Sequence, residues 1–283
     1  MGCIGHDAGH FSVSAHRPWV NDWCLWGISW LCNPYMWQHQ HTYAHHSFTN
    51  DIDHDPDLHH FTSLLRVHKS FQKSGIYKNQ SNRWYVFLAY TFVSFGTCFW
   101  VPWSMMKEHT LYGMVAWTDQ QRHRVAFTSH FLLYFSLIIA WPFYAHTNKL
   151  WALAAVVGHM STSGLLFAFF SQINHLNESS LDSDKLAKLK EQVKPSIRSS
   201  WAVDQILTSN NFCPDSLLWH VLSNGLNLQI EHHLFPGLNH CHLSKIAPVV
   251  RQTCEEYGVE YKVYPSWPAI LQATLDWLDT LAT

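Results

Sequence analysis

Twenty-two of the 283 residues are histidine, and eight of these have neighbours or spacings that suit metal binding. The segment His6-Asp7-Ala8-Gly9-His10 sets two imidazoles four residues apart. His41-Thr42-Tyr43-Ala44-His45-His46 adds three at i, i+4 and i+5, and Gln229-Ile230-Glu231-His232-His233 ends in an adjacent pair. His175 stands alone after a long apolar run. On a helix, residues four apart lie one turn above each other, so each group can hold one ion or bridge two. Imidazole at this density suits iron, zinc or copper and not the oxygen-seeking ions such as calcium. Zinc fits less well. Structural zinc usually takes four ligands with cysteine among them, and catalytic zinc takes three. The seven cysteines contain no CxxC pair, no HExxH occurs, and eight histidines are enough for two ions. Two ions with open positions, ligated by nitrogen beside apolar segments, point to oxygen chemistry on a lipid.

Long apolar elements must position these groups. Charged residues make up only 13% of the chain and aromatics 15%, with a formal net charge of −2. That excludes a disordered chain and a basic nucleic-acid-binding surface. The stretches Trp84–Trp103, Val125–Ala145 and Leu150–Phe170 contain no Asp, Glu, Lys or Arg, and each approaches the ~20 residues a membrane helix needs. Only His146-Thr147-Asn148-Lys149 joins the second to the third, which makes them an antiparallel hairpin. Arg122 and Arg124 precede the hairpin, and Lys185, Lys188, Lys190, Lys194 and Arg198 follow it, so positive-inside bias puts both outer ends in the cytosol. A full crossing by Trp84–Trp103 would separate the histidine groups across the bilayer, so that stretch is expected to be interfacial or re-entrant. Trp19, Trp23, Trp26 and Trp30 follow helical spacing, which predicts an amphipathic interfacial helix over Trp19–Trp37. Beyond His233, two helices are expected as core elements. One is capped by Ser244, with Ile246, Val249, Val250, Cys254 and Tyr257 inward and Gly258 as its stop; the other starts near Ser266. The expected fold is therefore all-α: an integral membrane helical protein with a cytosolic, histidine-rich helical cap holding a di-metal centre. Residues 1–83 would carry the first two histidine groups and an interfacial helix, 84–170 the membrane helices, and 171–283 the cap with the third group. His123, His130, His146 and His159 read as packing or interfacial residues, and the cysteines as reduced thiols.

The ordered boxes HDAGH, QHTYAHH and QIEHHLFP resemble those of the membrane fatty acid desaturases. Gln229, where a first histidine would otherwise stand, resembles the front-end subgroup. Further matching stretches are Thr49-Asn50 with Asp55-Pro56-Asp57, Trp201 through Gln205 to Thr208-Ser209, and Gly225-Leu226-Asn227. The resemblance covers essentially the whole chain, 1–283, as one desaturase domain. It implies an enzyme that uses O2 to insert a cis double bond between an existing one and the carboxyl end of a polyunsaturated acyl chain, carried on CoA or a phospholipid. It implies a di-iron centre ligated by His6, His10, His41, His45, His46, His175, His232 and His233. Gln229 would be a further ligand or a supporting group, and Asp7, Asn50 and Glu231 would be partners of ligating imidazoles. Electrons would come from cytochrome b5 and its reductase, and the protein would lie among membrane lipids of the endoplasmic reticulum with its metal site facing the cytosol. A sphingolipid long-chain-base desaturase shares the QxxHH box and is the alternative. Family members of this subgroup usually carry a cytochrome b5 domain with an HPGG motif and a transmembrane hairpin ahead of the first box, whereas here His6 is five residues from Met1. The expectation is thus an N-terminally incomplete, catalytically impaired desaturase when this chain acts alone.

Overall fold

The computed structural model describes residues 2–116 and 120–282, in two compact units. One unit holds the chain up to His45 together with Val86–Ala168; the other holds His46–Tyr85 and the chain from Phe169 onward.

In the first unit, α1 (Gly2–Gly9) packs on α2 (Pro18–Leu25) around Ala8, Leu25, Ile28, Cys32 and Trp37. The single helix expected over Trp19–Trp37 is not formed. Instead α2 stops at Leu25, a tight turn covers Trp26–Ile28, and α3 (Pro34–Trp37) begins afresh. Asn33-Pro34 enforces the restart, because a residue before proline is pushed out of helical backbone. Asn33 is extended, and its Oδ1 accepts from the Met36 amide at 3.2 Å as an N-cap. Trp19, Trp23 and Trp30 are exposed as the spacing implies, but Trp37 is buried.

Among the described residues, three helices are long and apolar enough to cross a membrane: α4 (Arg83–Glu108), α5 (Arg124–Ala145) and α6 (Lys149–Gln172). Only 22% of the apolar window of α5, and the same share of α6, is buried within the protein. A helix apolar all round and so little covered has lipid as its natural solvent. Asn148 makes the sharp link between them by accepting from the Leu150 amide at 2.9 Å. By contrast, 44% of the α4 window is buried. α4 continues through its 26 residues without folding back, so the re-entrant form is not adopted. Between α4 and α5, β1 (Thr110–Leu111) pairs antiparallel with β2 (Val115–Ala116). His130 is buried on α5, with Nε2 donating to the Ser29 carbonyl at 3.1 Å and Nδ1 accepting from Asn33 Nδ2 at 3.2 Å. It is a packing residue, as expected. The side chain of His123 lies outside the described residues.

The second unit is built from α7 (Ser183–Gln192), α8 (Trp201–Leu207), α9 (Leu217–Leu222), α10 (Gln229–Leu234), α11 (Leu243–Tyr257) and α12 (Trp267–Thr280). Val203, Ile206, Leu207, Ile230, Val250 and Cys254 bring α8, α10 and α11 onto one core. A parallel pair, β3 (Asn211–Phe212) with β4 (Val263–Tyr264), ties the segment ahead of α9 to the segment ahead of α12. α11 begins one residue before Ser244, which lies inside its first turn and is not the cap. Val249 and Tyr257 are exposed and are not core residues as expected, whereas Gly258 does end the helix at φ 72°. Ser266 caps α12, its Oγ accepting from the Ala269 amide at 3.3 Å.

Candidate metal centre

The first unit gathers His6, His10, His41 and His45. Nitrogen atoms of His6, His10 and His41 all lie within 4.8 Å of one another, and His41 and His45 are equally close. Two local features create this set. α1 carries His6, and His10 follows directly after its last residue, with the ring centroids 4.9 Å apart; Gly9 leaves the space beside them open. A Cβ at Gly9 would lie 2.2 Å from the Trp37 ring. The Trp37 indole fills that space and backs three imidazoles, stacking on His41 at 4.6 Å and meeting His6 at 5.3 Å and His10 at 5.8 Å. The second box, Gln38–His45, winds as a π-helix, a widened turn found chiefly at functional sites. It stacks His41 on His45 at 5.2 Å. Gln38 Nε2 and Thr42 Oγ1 both donate to the Gly9 carbonyl, at 3.3 and 3.1 Å, and so bind the second box to the first. Asp7 Oδ1 lies 3.7 Å from His6 Nδ1, beyond hydrogen-bond reach.

The second unit gathers His46, His175, His232 and His233, all buried. His46 stacks on His233 at 4.1 Å and meets His232 edge-on at 4.7 Å, and His175 lies 4.6 Å from His233. Hydrogen bonds orient two of these rings. His175 Nδ1 donates to the Thr208 carbonyl at 2.9 Å. A carbonyl can only accept, so the proton sits on Nδ1 and Nε2 presents its lone pair. His233 Nδ1 likewise faces Gln205 Oε1 at 2.8 Å, which also accepts from Thr49 Oγ1 at 2.8 Å. This is the tautomer of a metal-ligating histidine, fixed by the partner of its other nitrogen. Four imidazoles in each unit, all but the half-buried His6 buried, with Nδ1 of His175 and His233 tied to acceptors, form a donor set that fits a transition metal.

Of the residues expected to support the imidazoles, Glu231 and Asn50 bond to other groups, and Gln229 meets a ring. The Glu231 carboxylate accepts from Tyr261 OH and Asn211 Nδ2, each at 2.8 Å, and so turns toward these two groups. Burial pushes its pKa up, and those two donors oppose the shift. Its effect is to lock α10 against the strand pair, which fixes the direction of His232 and His233. Asn50 reaches backbone instead of a ring: its Nδ2 donates to the carbonyls of Ser180 at 3.0 Å and His175 at 3.2 Å. Gln229 does touch an imidazole, with Nε2 2.8 Å from His175 Nε2, while its Oε1 accepts from Asn174 Nδ2 at 3.2 Å. Lys262 is buried, donating to the carbonyls of Leu207 and of Ser179 (2.7 Å), and burial lowers its pKa to about 7.

The sequence is similar to known proteins. The family model described as fatty acid desaturase matches residues 1–265. The chain belongs to the fatty acid desaturase family. It is an oxidoreductase fold of membrane helices acting on fatty acyl lipids. It is 26% identical to an sn-1 linoleoyl-lipid 6-desaturase of Synechocystis, over 98% of this chain and 75% of that protein. It is 30% identical to an acyl-lipid (8-3)-desaturase of Physcomitrium patens, over 95% of this chain and 55% of the relative. A probable Delta(5) fatty acid desaturase C of Dictyostelium discoideum is 26% identical, over 96% of this chain and 59% of its own. No solved structure matches.

Trp37, Thr49, Gln205, Thr208 and Tyr261 were not among the expected site residues. For Thr49, Gln205 and Thr208 a signal existed, since they fall in stretches that carry the family resemblance. Nothing in the spacing of Trp37 or Tyr261 marks either one.

Proposed function

We propose that this desaturase is of the front-end kind and that the eight histidines ligate two iron ions. His6, His10, His41 and His45 would contribute from one unit, and His46, His175, His232 and His233 from the other. The observation that carries the reading is the four-imidazole set within each unit, seven of the eight rings being buried. When bound, iron would supply O2-dependent removal of hydrogen from unactivated methylenes, chemistry outside the reach of any side-chain acid or base. The chain's own residues hold the ligands. Trp37 backs the first set, Thr208 and Gln205 fix the tautomers of His175 and His233, and Asp7 lies beside His6. Gln229, with its amide shared between His175 and Asn174, is a supporting group in this reading, while Asn50 and Glu231 hold backbone and helix. Regioselectivity would then follow from holding one carbon pair of the chain at the metals.

Its relatives are named as acyl-lipid and fatty acid desaturases, which supports a polyunsaturated acyl substrate over a sphingoid base. Cytochrome b5 and its reductase are the proposed electron source. The proposed location is the endoplasmic reticulum with the site toward the cytosol, as the basic residues Lys185, Lys188 and Lys190 after α6 favour. The test is expression in yeast fed a panel of polyunsaturated fatty acids, with total lipids profiled by mass spectrometry and a His232→Ala copy at equal membrane abundance as control. A new product with its double bond on the carboxyl side of an existing one, absent from the control, is expected. A bond placed in the sphingoid base, or on the methyl side, would overturn the front-end assignment.

A further inference from the structure

α9 follows the strand β3 and precedes the third histidine box, and its six residues Leu217-Leu218-Trp219-His220-Val221-Leu222 contain no Asp, Glu, Lys or Arg. Leu217, Leu218, Val221 and Leu222 fall at i, i+1, i+4 and i+5, one face of the helix, and are 76%, 64%, 63% and 53% exposed. Among the described residues, no other helix wholly within this unit exposes more than two large apolar side chains. The opposite face is anchored. Trp219 stacks on Trp267 at 5.6 Å and 11°, and meets Phe212 at 6.0 Å and Phe170 at 6.4 Å. Phe169, one residue earlier on α6, packs on Trp267 at 5.6 Å. Phe169 and Phe170 belong to the last turns of the apolar helix α6. The aromatic cluster therefore clamps α9 beside the point where that helix leaves the hydrocarbon, the level at which tryptophan settles in bilayers.

We propose that α9 is an interfacial membrane anchor, its four aliphatic side chains seated among the lipid headgroups and upper acyl chains. The occupant is lipid because α9 is anchored through Trp219 on the aromatic cluster at the end of a membrane helix, and its exposed face is free of charge. The anchor is also coupled to the histidines. Gly225 turns the chain at φ 77°, and a Cβ there would lie 2.8 Å from that of His240. Gln229 then follows only seven residues after Leu222. The depth of α9 thus sets the height of His232 and His233 above the bilayer from which an acyl chain arrives. This inference rests on α6 as a membrane helix and not on the proposed reaction.

The test places an environment-sensitive NBD label at Leu218→Cys, at Leu222→Cys and, as control, at Glu255→Cys on the exposed side of α11, with Cys3, Cys24, Cys213 and Cys241 changed to Ser. The labelled proteins are reconstituted in phosphatidylcholine vesicles. At 218 and 222 we expect a blue-shifted emission quenched severalfold more by 5-doxyl-phosphatidylcholine than at 255, with protection from aqueous iodide. Equal iodide quenching at all three positions would overturn the proposal. So would a blue shift at 218 without doxyl quenching, which would mean that a second copy or another protein covers the face. Neither readout needs turnover or bound iron, so failure here is separable from failure of the front-end reading.

Discussion

Replacing Gln205 with Leu removes the acceptor that holds His233 in the tautomer the proposed ligation requires. Gln205 Oε1 lies 2.8 Å from His233 Nδ1 and 2.8 Å from Thr49 Oγ1, and Thr49 Oγ1 itself is 3.1 Å from His233 Nδ1. All of these groups are buried, so water does not readily replace a lost partner. Leaving a buried donor without its acceptor costs about 1–3 kcal/mol, and 1.4 kcal/mol corresponds to about tenfold in an equilibrium constant. In the single variant the Thr49 hydroxyl can turn and accept from His233 Nδ1, so the expected loss of iron affinity is about tenfold, the low end for the support of a metal ligand. In Thr49→Val/Gln205→Leu no such rescue exists, and the loss should approach ~100-fold. Gln205→Glu keeps an acceptor at the same position and should retain most of the affinity. The assay is competition for iron against a graded series of chelators in detergent-purified protein, with thermal melts confirming that each variant is folded. If Gln205→Leu and the double variant both bind iron as the parent does, the hydrogen bond to His233 Nδ1 does not orient a ligand, and the reasoning fails.

Gly9→Ala drives a Cβ to 2.2 Å from the Trp37 ring. It should cost about 1–3 kcal/mol by overpacking and lower the iron content while leaving helicity by circular dichroism unchanged. His130→Leu should lower the melting temperature, because the Ser29 carbonyl and Asn33 amide lose a buried partner worth about 1–3 kcal/mol. Its iron stoichiometry should equal that of the parent, which metal analysis checks. Lys262 gives a pH signature. With its folded pKa lowered to about 7 by burial and an ordinary lysine value near ~10.4, unfolding takes up a proton between those limits. Stability should therefore rise as pH increases from about 7 towards ~10 and should not depend on this group below about 7. Melting temperatures from pH 7 to 9.5 should show this slope in the parent and a flatter curve in Lys262→Met.

Much of the architecture was legible because it rests on local rules. Charge-free runs of about membrane length announced α5 and α6, Asn148 and Ser266 have the chemistry of caps, and Gly258 stops α11 by its left-handed backbone. The histidine boxes were legible because side chains four apart share a helix face. The broken Trp19–Trp37 segment was not, since helical spacing of tryptophans says nothing about the bend that Asn33-Pro34 imposes. The supporting contacts were misread for a related reason. Glu231 is adjacent in sequence to His232, yet its carboxylate bonds to Asn211 and Tyr261, 20 and 30 residues away. Which way a side chain turns at a box position depends on the tertiary partners opposite it, and sequence proximity does not specify them. Trp37 is the sharpest case: as one tryptophan among 15 it carries no distinguishing mark, and only the close approach allowed by Gly9 makes it a platform for three imidazoles.

The central claim is that two four-histidine sets hold two iron ions. The direct measurement is elemental analysis of protein produced in iron-replete cells and purified without oxygen, compared with His10→Ala from the first set and His233→Ala from the second. The account predicts two irons per chain in the parent and a loss of at least one in each variant. Zinc in place of iron in an oxygen-active preparation, or an iron count unchanged by either substitution, would contradict it.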